Sequence, residues 1–89
     1  MNRYRIIANP TSGRGACERA IPHIEGLLQS HGLRYDLVRT ERPWHAAELA
    51  QAACVDGYSV VVAAGGDGTA NEVLNGLMWA KEAGISRLP

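Results

Sequence analysis

Three short apolar runs, each followed by a stretch of helical periodicity, constrain this chain more than any other feature of its sequence. Residues 5–9 read as a first strand, in which Ile6, Ile7 and Ala8 are continuous, the pattern of a strand covered on both faces. From Ala16 the period becomes helical, with Cys17, Ala20, Ile21, Ile24, Leu27 and Leu28 on one face. Pro22 falls inside that helix, where it removes a backbone donor and predicts a bend, and His31-Gly32 ends it. Residues 33–39 read as a second strand and residues 40–43 as a polar loop. A helix follows from Trp44 to about Cys54, with Ala46, Ala47, Leu49, Ala50 and Ala53 inward. Asp56-Gly57 marks a turn, residues 59–64 a third strand carrying the run VVVAA, and residues 71–81 a third helix through Val73, Leu74, Leu77 and Met78. Gly84 closes this helix, and residues 85–89 lead on from it.

The order is β-α-β-α-β-α. Connections long enough to hold a helix join parallel strands, so the expected architecture is a layered α/β sheet. A length of 89 residues allows one small domain or part of a larger one. With 46% hydrophobic and 20% charged residues the chain has globular rather than disordered composition. Lys and Arg number 9, as do Asp and Glu, so general positive charge offers no route to nucleic acid. The longest apolar run, Val60 to Ala64, is far below the roughly 20 residues of a membrane span. Pro10 and Gly13 come too early for a signal peptide. Two cysteines make no disulfide framework, and the expected setting is reduced and cytoplasmic.

In an open parallel sheet, ligands bind beyond the carboxyl ends of the strands. Each strand here runs into a conspicuous segment: Asn9-Pro10-Thr11-Ser12-Gly13 after the first, Thr40 after the second, Gly65-Gly66-Asp67-Gly68-Thr69 after the third. All three are expected on one rim. Glycines allow the backbone to approach a ligand closely, and the free N–H groups of a helix start favour an anion such as phosphate. Asp67 repels phosphate directly and suits a metal, a hydroxyl or a ribose instead. The alternative is a glycine turn in which Asp67 and Thr69 only cap the helix. No lysine follows the glycines as the GK[ST] phosphate loop requires. Gly13-Arg14-Gly15 imitates the start of a dinucleotide fingerprint, with Asp36 near the ribose-binding position. Glu18 stands where that fingerprint needs its third glycine.

The stretches IIANPTSGRG (residues 6–15), Thr40 running into HAAELA (residues 45–50) and VVVAAGGDGTANEVLNGL (residues 60–77) resemble the catalytic domain of diacylglycerol kinases. That family includes sphingosine, ceramide and bacterial lipid kinases, within a superfamily shared with NAD kinases and 6-phosphofructokinases. Order and spacing match over nearly the whole chain. Asn9-Pro10 with Ser12-Gly13, and Asn71-Glu72 after GGDGT, favour the lipid-kinase branch. The resemblance implies part of an N-terminal nucleotide-binding domain spanning residues 1–89. ATP would be bound by Asn9, Pro10, Thr11, Ser12, Gly13, Thr40, Gly65, Gly66, Asp67, Gly68, Thr69, Ala70, Asn71 and Glu72. Asp67 would act catalytically beside the magnesium-phosphate unit. The parent would transfer the ATP γ-phosphate to a lipid hydroxyl. In the family a second, β-rich domain carries the lipid pocket and the candidate general base. It is absent here, so the chain alone is expected to be inactive. Peripheral membrane contact belongs to the full-length protein. The rival readings are an NAD kinase-like enzyme and a non-catalytic nucleotide-binding module.

The remaining polar residues have plainer readings. His23, His31 and His45 share no metal-ligand spacing with Cys17 or Cys54, so no metal site is expected. His45 reads as packing or capping at a helix start, with a direct nucleotide contact as the alternative, and both cysteines read as small core residues. Arg14 reads equally as a phosphate ligand or a solvated cation. Trp79 and Met78 read as packing residues. Trp44 departs from the resemblance, since family members often carry a small residue there. A three-stranded sheet leaves strand edges open, and a dimer or swapped assembly is expected at high concentration.

Overall fold

A computed structural model describes residues 3–84 of the chain. The order of elements is β1 (Arg3–Ala8), α1 (Ser12–Ser30), β2 (Arg34–Arg39), α2 (His45–Val55), β3 (Val60–Ala64) and α3 (Asp67–Glu82). The three strands are all parallel, in the order β2-β1-β3. The layered α/β reading therefore holds, and the region after Gly84 lies outside the described residues.

Burial follows strand position. β1 is central, and its Ile6, Ile7 and Ala8 are buried to 1% exposure or less. β3 carries the most apolar sequence but is half-buried, and Val62 is 39% exposed. Its VVVAA run is an edge among the described residues, paired on the β1 side only, so it is not the fully covered strand that its sequence suggests.

The two faces of the sheet are covered unequally. Ile7 packs with Ala46, Ala50 and Val73, flanked by Val38, Val61, Ala63, Leu49 and Leu77, so α2 and α3 lie on one face. Parallel pairing places Ile6, Leu37 and Val62 on the other. There α1 lies over β2: the Tyr35 hydroxyl donates to Glu25 (3.2 Å), and Arg39 pairs with Glu18 (3.0 Å). Of the helical face expected for α1, Ile21 is buried and Cys17, Ile24 and Leu28 are half-buried, whereas Ala20 and Leu27 are exposed. A single helix crossing one half of a sheet face has neighbours only beneath it.

α3 departs most from its sequence pattern. It starts at Asp67 rather than Asn71, taking the second half of the glycine motif into its first turn. It buries Thr69, Val73, Gly76 and Ala80, while Leu74 and Met78 point outward. Small residues win the contact because the two helices approach to backbone distance. A Cβ on Gly76 would stand 2.1 Å from the Ala47 carbonyl oxygen. The alanines of α2 are the other half of that fit, since Ala46, Ala47, Ala50 and Ala53 are all buried as expected.

In α1 the irregularity falls at Gly13, Arg14 and Gly15, which take left-handed dihedrals in succession (φ 63°, 56° and 87°). The regular helix runs from Ala16, as its periodicity predicts. Pro22 keeps helical dihedrals, and the non-helical residues lie two turns or more before it.

Candidate functional site

Strand pairing itself assembles the rim. The Asn9 N–H donates to the Ala64 carbonyl (2.9 Å), and the Thr40 N–H to the Ala8 carbonyl (2.8 Å). These bonds continue the β1-β3 and β1-β2 ladders by one residue. They bring the first residue of each loop into register at the carboxyl edge. The order β2-β1-β3 makes the gap between β1 and β3 the point where strand order reverses, and the connections leave toward opposite faces there.

Each loop is then held by its own residues. The Asn9 Oδ1 accepts from the Thr11 N–H (3.2 Å) and the Thr11 hydroxyl (2.9 Å), and the Ser12 N–H donates to the Asn9 carbonyl (3.2 Å). Such side-chain closure is what Asn offers a tight turn. Gly65 needs its missing side chain: a Cβ there would lie 2.6 Å from the Thr69 hydroxyl oxygen and 3.3 Å from the Asn9 Cβ. One on Gly66 would meet the Ser12 Oγ at 3.3 Å. The first and third loops are thus in direct contact.

The first turn of α3 is formed by Asp67 and Gly68, with the Thr69 and Ala70 N–H groups donating to the Gly66 carbonyl (3.1 and 3.2 Å). No side chain caps this helix. The reading of Asp67 and Thr69 as mere caps is therefore not what forms, and the helix start keeps donors for another partner. Thr69 is buried, while Asp67 and Gly68 are exposed.

Between these segments lies a cavity of about 460 Å³, lined by Asn9, Thr11, Thr40, Glu41, Arg42, Pro43, Ala46, Thr69 and Glu72. Of the residues expected on the rim, Asn9, Thr11, Thr40, Thr69 and Glu72 line it. Pro10, Ser12, Gly13, Gly65, Gly66, Asp67, Gly68, Ala70 and Asn71 do not, although Gly65 packs against the lining residues Asn9 and Thr69. The loop after β2 contributes more than Thr40. Glu41, Arg42 and Pro43 line it too, as does Ala46 at the start of α2. The signal for them was their adjacency to Thr40 on the same rim. His45 caps this loop, its Nδ1 accepting from the Glu41 N–H at 2.9 Å, and Arg42 is ion-paired to Glu48.

Elsewhere, Cys54 is buried and its thiol is pushed up by that burial. Cys17 is only half-buried and donates through sulfur to the Ala64 carbonyl (3.4 Å). Among the described residues, no three His, Cys, Asp or Glu side chains gather as a metal-holding group. No described helix is long and apolar enough to cross a membrane.

The family model of the diacylglycerol kinase catalytic domain matches residues 3–89. The chain is 41% identical over 75 residues to a diacylglycerol kinase of Staphylococcus saprophyticus, covering 84% of this chain and 25% of that protein. It is 43% identical over 75 residues to one from Staphylococcus aureus, covering 84% and 24%. A solved structure of a Bacillus anthracis protein assigned as a diacylglycerol kinase superposes with a TM-score of 0.75 at 25% identity. That likeness covers 85% of this chain and 27% of that one. The chain thus spans about a quarter of the length of the relatives it matches.

Proposed function

This chain belongs to the diacylglycerol kinase catalytic-domain family, and from that premise we propose that it is the ATP-binding part of a lipid kinase. The observation that carries the reading is the cavity where three strand-end segments meet beside an uncapped helix start. A nucleotide needs a concave site with a few converging polar groups and fixed donors for its phosphates. Thr40 and Asn9 offer the polar groups at the sheet edge, and the start of α3 offers the donors.

The chemistry then divides among the residues by position. Gly65 and Gly66 hold the third loop against Asn9 and Ser12, so the α3 donors stand at a fixed place. Gly68 leaves open space on the rim, with nothing within 4 Å of where its Cβ would be. Asp67 stands exposed in that first turn, where a carboxylate is favoured by the helix dipole and is available to a cation. Magnesium binds through few carboxylates, with water and substrate phosphates as its other ligands, and would neutralise charge on the transferring group. Asp67 would fit that small share from the rim, while Glu72 lies on the cavity wall. In this reading the lipid pocket and a general base would belong to the remaining three quarters of the relatives' length, and the chain without them is inactive. Cytoplasmic residence and peripheral membrane contact follow from a soluble nucleotide meeting a lipid acceptor.

The test separates binding from folding. Gly68→Ala adds a methyl to open space in a helical turn, where Ala is favoured over Gly by about 1 kcal/mol. Thermal stability is expected to hold or rise, while calorimetrically measured ATP affinity falls. Unchanged ATP affinity in a stable variant would sink the placement of phosphates at this turn. In the intact protein, radiolabel from γ-labelled ATP should enter an organic-soluble product and be lost in Asp67→Ala. Label entering NAD instead would favour the soluble-substrate branch, and ATP binding with no turnover a non-catalytic module.

A further inference from the structure

We propose that Arg42, held in place by Glu48, is the cationic ligand that the loop after β2 gives to the phosphate chain of the bound nucleotide. This assignment rests on the ATP-binding reading above and adds to it a residue that the strand-end motifs do not contain.

The charges of the cavity wall make the argument. Among the described residues that line it, Glu41 and Glu72 are acidic and Arg42 is the only Lys or Arg. A polyphosphate entering between two carboxylates is repelled, and a helix start supplies only about half a positive charge. A guanidinium adds a full charge that persists at every working pH, in a planar fork suited to phosphate oxygens.

The position of Arg42 is fixed by its neighbours. Upstream, the Thr40 N–H is tied to the central strand at 2.8 Å. Downstream, the Glu41 N–H is closed onto the His45 ring at 2.9 Å, and the His45 N–H donates to the Arg42 carbonyl at 3.2 Å. The backbone that carries the guanidinium is therefore a closed turn rather than a free loop.

Glu48 takes one of the guanidinium's five N–H donors, and the rest remain for a ligand. Both side chains of this pair are about half-exposed, at 55% and 54%. An ion pair in that much solvent is weak. The bond to Glu48 therefore biases the guanidinium toward the cavity wall rather than locking it, and the remaining donors can meet an anion while Glu48 keeps its one. Glu48 is a positioning residue that acts through Arg42.

The experiment compares ATP with adenosine by calorimetry on the intact protein and on Arg42→Gln, Arg42→Lys and Glu48→Gln. A thermal melt of each variant confirms folding. Losing hydrogen bonds to a charged group weakens binding by roughly 10- to 100-fold. Arg42→Gln is expected to lose ATP affinity by about that factor, with adenosine affinity unchanged. Arg42→Lys restores part of the loss, because charge returns without the fork. Glu48→Gln shows a smaller loss, again confined to ATP, and a steeper fall of ATP affinity with salt as Arg42 loses its rest position. Equal losses for ATP and adenosine in Arg42→Gln, or no loss for either, would overturn the assignment while leaving the ATP reading intact. If the unaltered protein binds neither ligand, the ATP reading itself fails, and this assignment with it.

Discussion

The indole of Trp44 stacks on that of Trp79, with ring centroids 6.3 Å apart and planes 30° from parallel. It does so from a left-handed backbone, φ 65° and ψ 0°, at the residue that opens α2. A left-handed conformation costs a residue with a Cβ roughly 1–2 kcal/mol, and an aromatic pair returns about 0.5–1.5 kcal/mol. The two are close enough to offset each other. This explains how a large residue occupies a turn that suits glycine.

Replacing that residue in two ways separates the effects. Trp44→Ala keeps the strain and loses the stack, whereas Trp44→Gly loses both. Chemical denaturation should therefore rank Trp44→Gly above Trp44→Ala by about 1 kcal/mol. A cycle with Trp79→Ala should return a coupling of about 0.5–1.5 kcal/mol. If Trp44→Ala proves the more stable of the two, the backbone at this position is not left-handed.

Gly76 tests the helix pair. A methyl there would meet the Ala47 carbonyl at 2.1 Å and the Ala50 Cβ at 2.9 Å. Gly76→Ala improves helix propensity, yet the overlap forces α2 and α3 apart. A loss of about 1–3 kcal/mol is expected in denaturant titration. Stabilisation would mean that the helices pack less closely than described. Gly26, which has nothing within 4 Å of a new Cβ, is the control, and Gly26→Ala should be neutral or stabilising.

The far edge of the sheet holds a pH-dependent contact. The Tyr58 hydroxyl donates to the Asp36 carboxylate, while the Arg3 and Arg5 guanidinium carbons lie 4.2 and 4.3 Å from its ring centroid. The hydrogen bond to Asp36, and secondarily burial, push the phenol above its ordinary pKa of 10.0. The folded state therefore favours the protonated phenol. Its stabilisation is full below pH 10 and is lost as pH rises from there through the raised folded value. Tyr58→Phe should cost about 1–3 kcal/mol at pH 7. The gap between the two proteins should narrow above pH 10, as read by urea midpoints across pH. A gap that widens with pH would refute the sign.

The open edge of β3 predicts self-association. Val62 is exposed on a strand paired on one side among the described residues, and unpaired strand groups recruit further strands. Sedimentation velocity of the 89-residue chain should show a concentration-dependent dimer, weakened in Val62→Lys. A monomer at millimolar concentration would count against it.

Element type and order were legible in the residues because they depend on local periodicity. A continuous apolar run at residues 6–8 and a 3.6-residue repeat from Ala16 each reflect the hydrogen bonding of one segment. The rim was legible for the same reason: in a parallel sheet every strand ends on the same side, so Asn9, Thr40 and the glycine motif had to converge.

What tertiary structure decided is which neighbour each face meets. Leu74 and Met78 repeat as well as Val73 does, but α2 approaches through alanines and selects Gly76 and Ala80 instead. VVVAA reads as a core strand, yet the order β2-β1-β3 puts it at an edge. Asp67 and Thr69 are two residues apart in one motif, and only Thr69 reaches the cavity wall, because a helical turn sends them in different directions. Arg42 joins that wall through a loop closed by His45, a contact between side chain and backbone that no spacing rule encodes. Periodicity reports the bonds a segment makes with itself, and packing is set by surfaces brought together from distant parts of the chain.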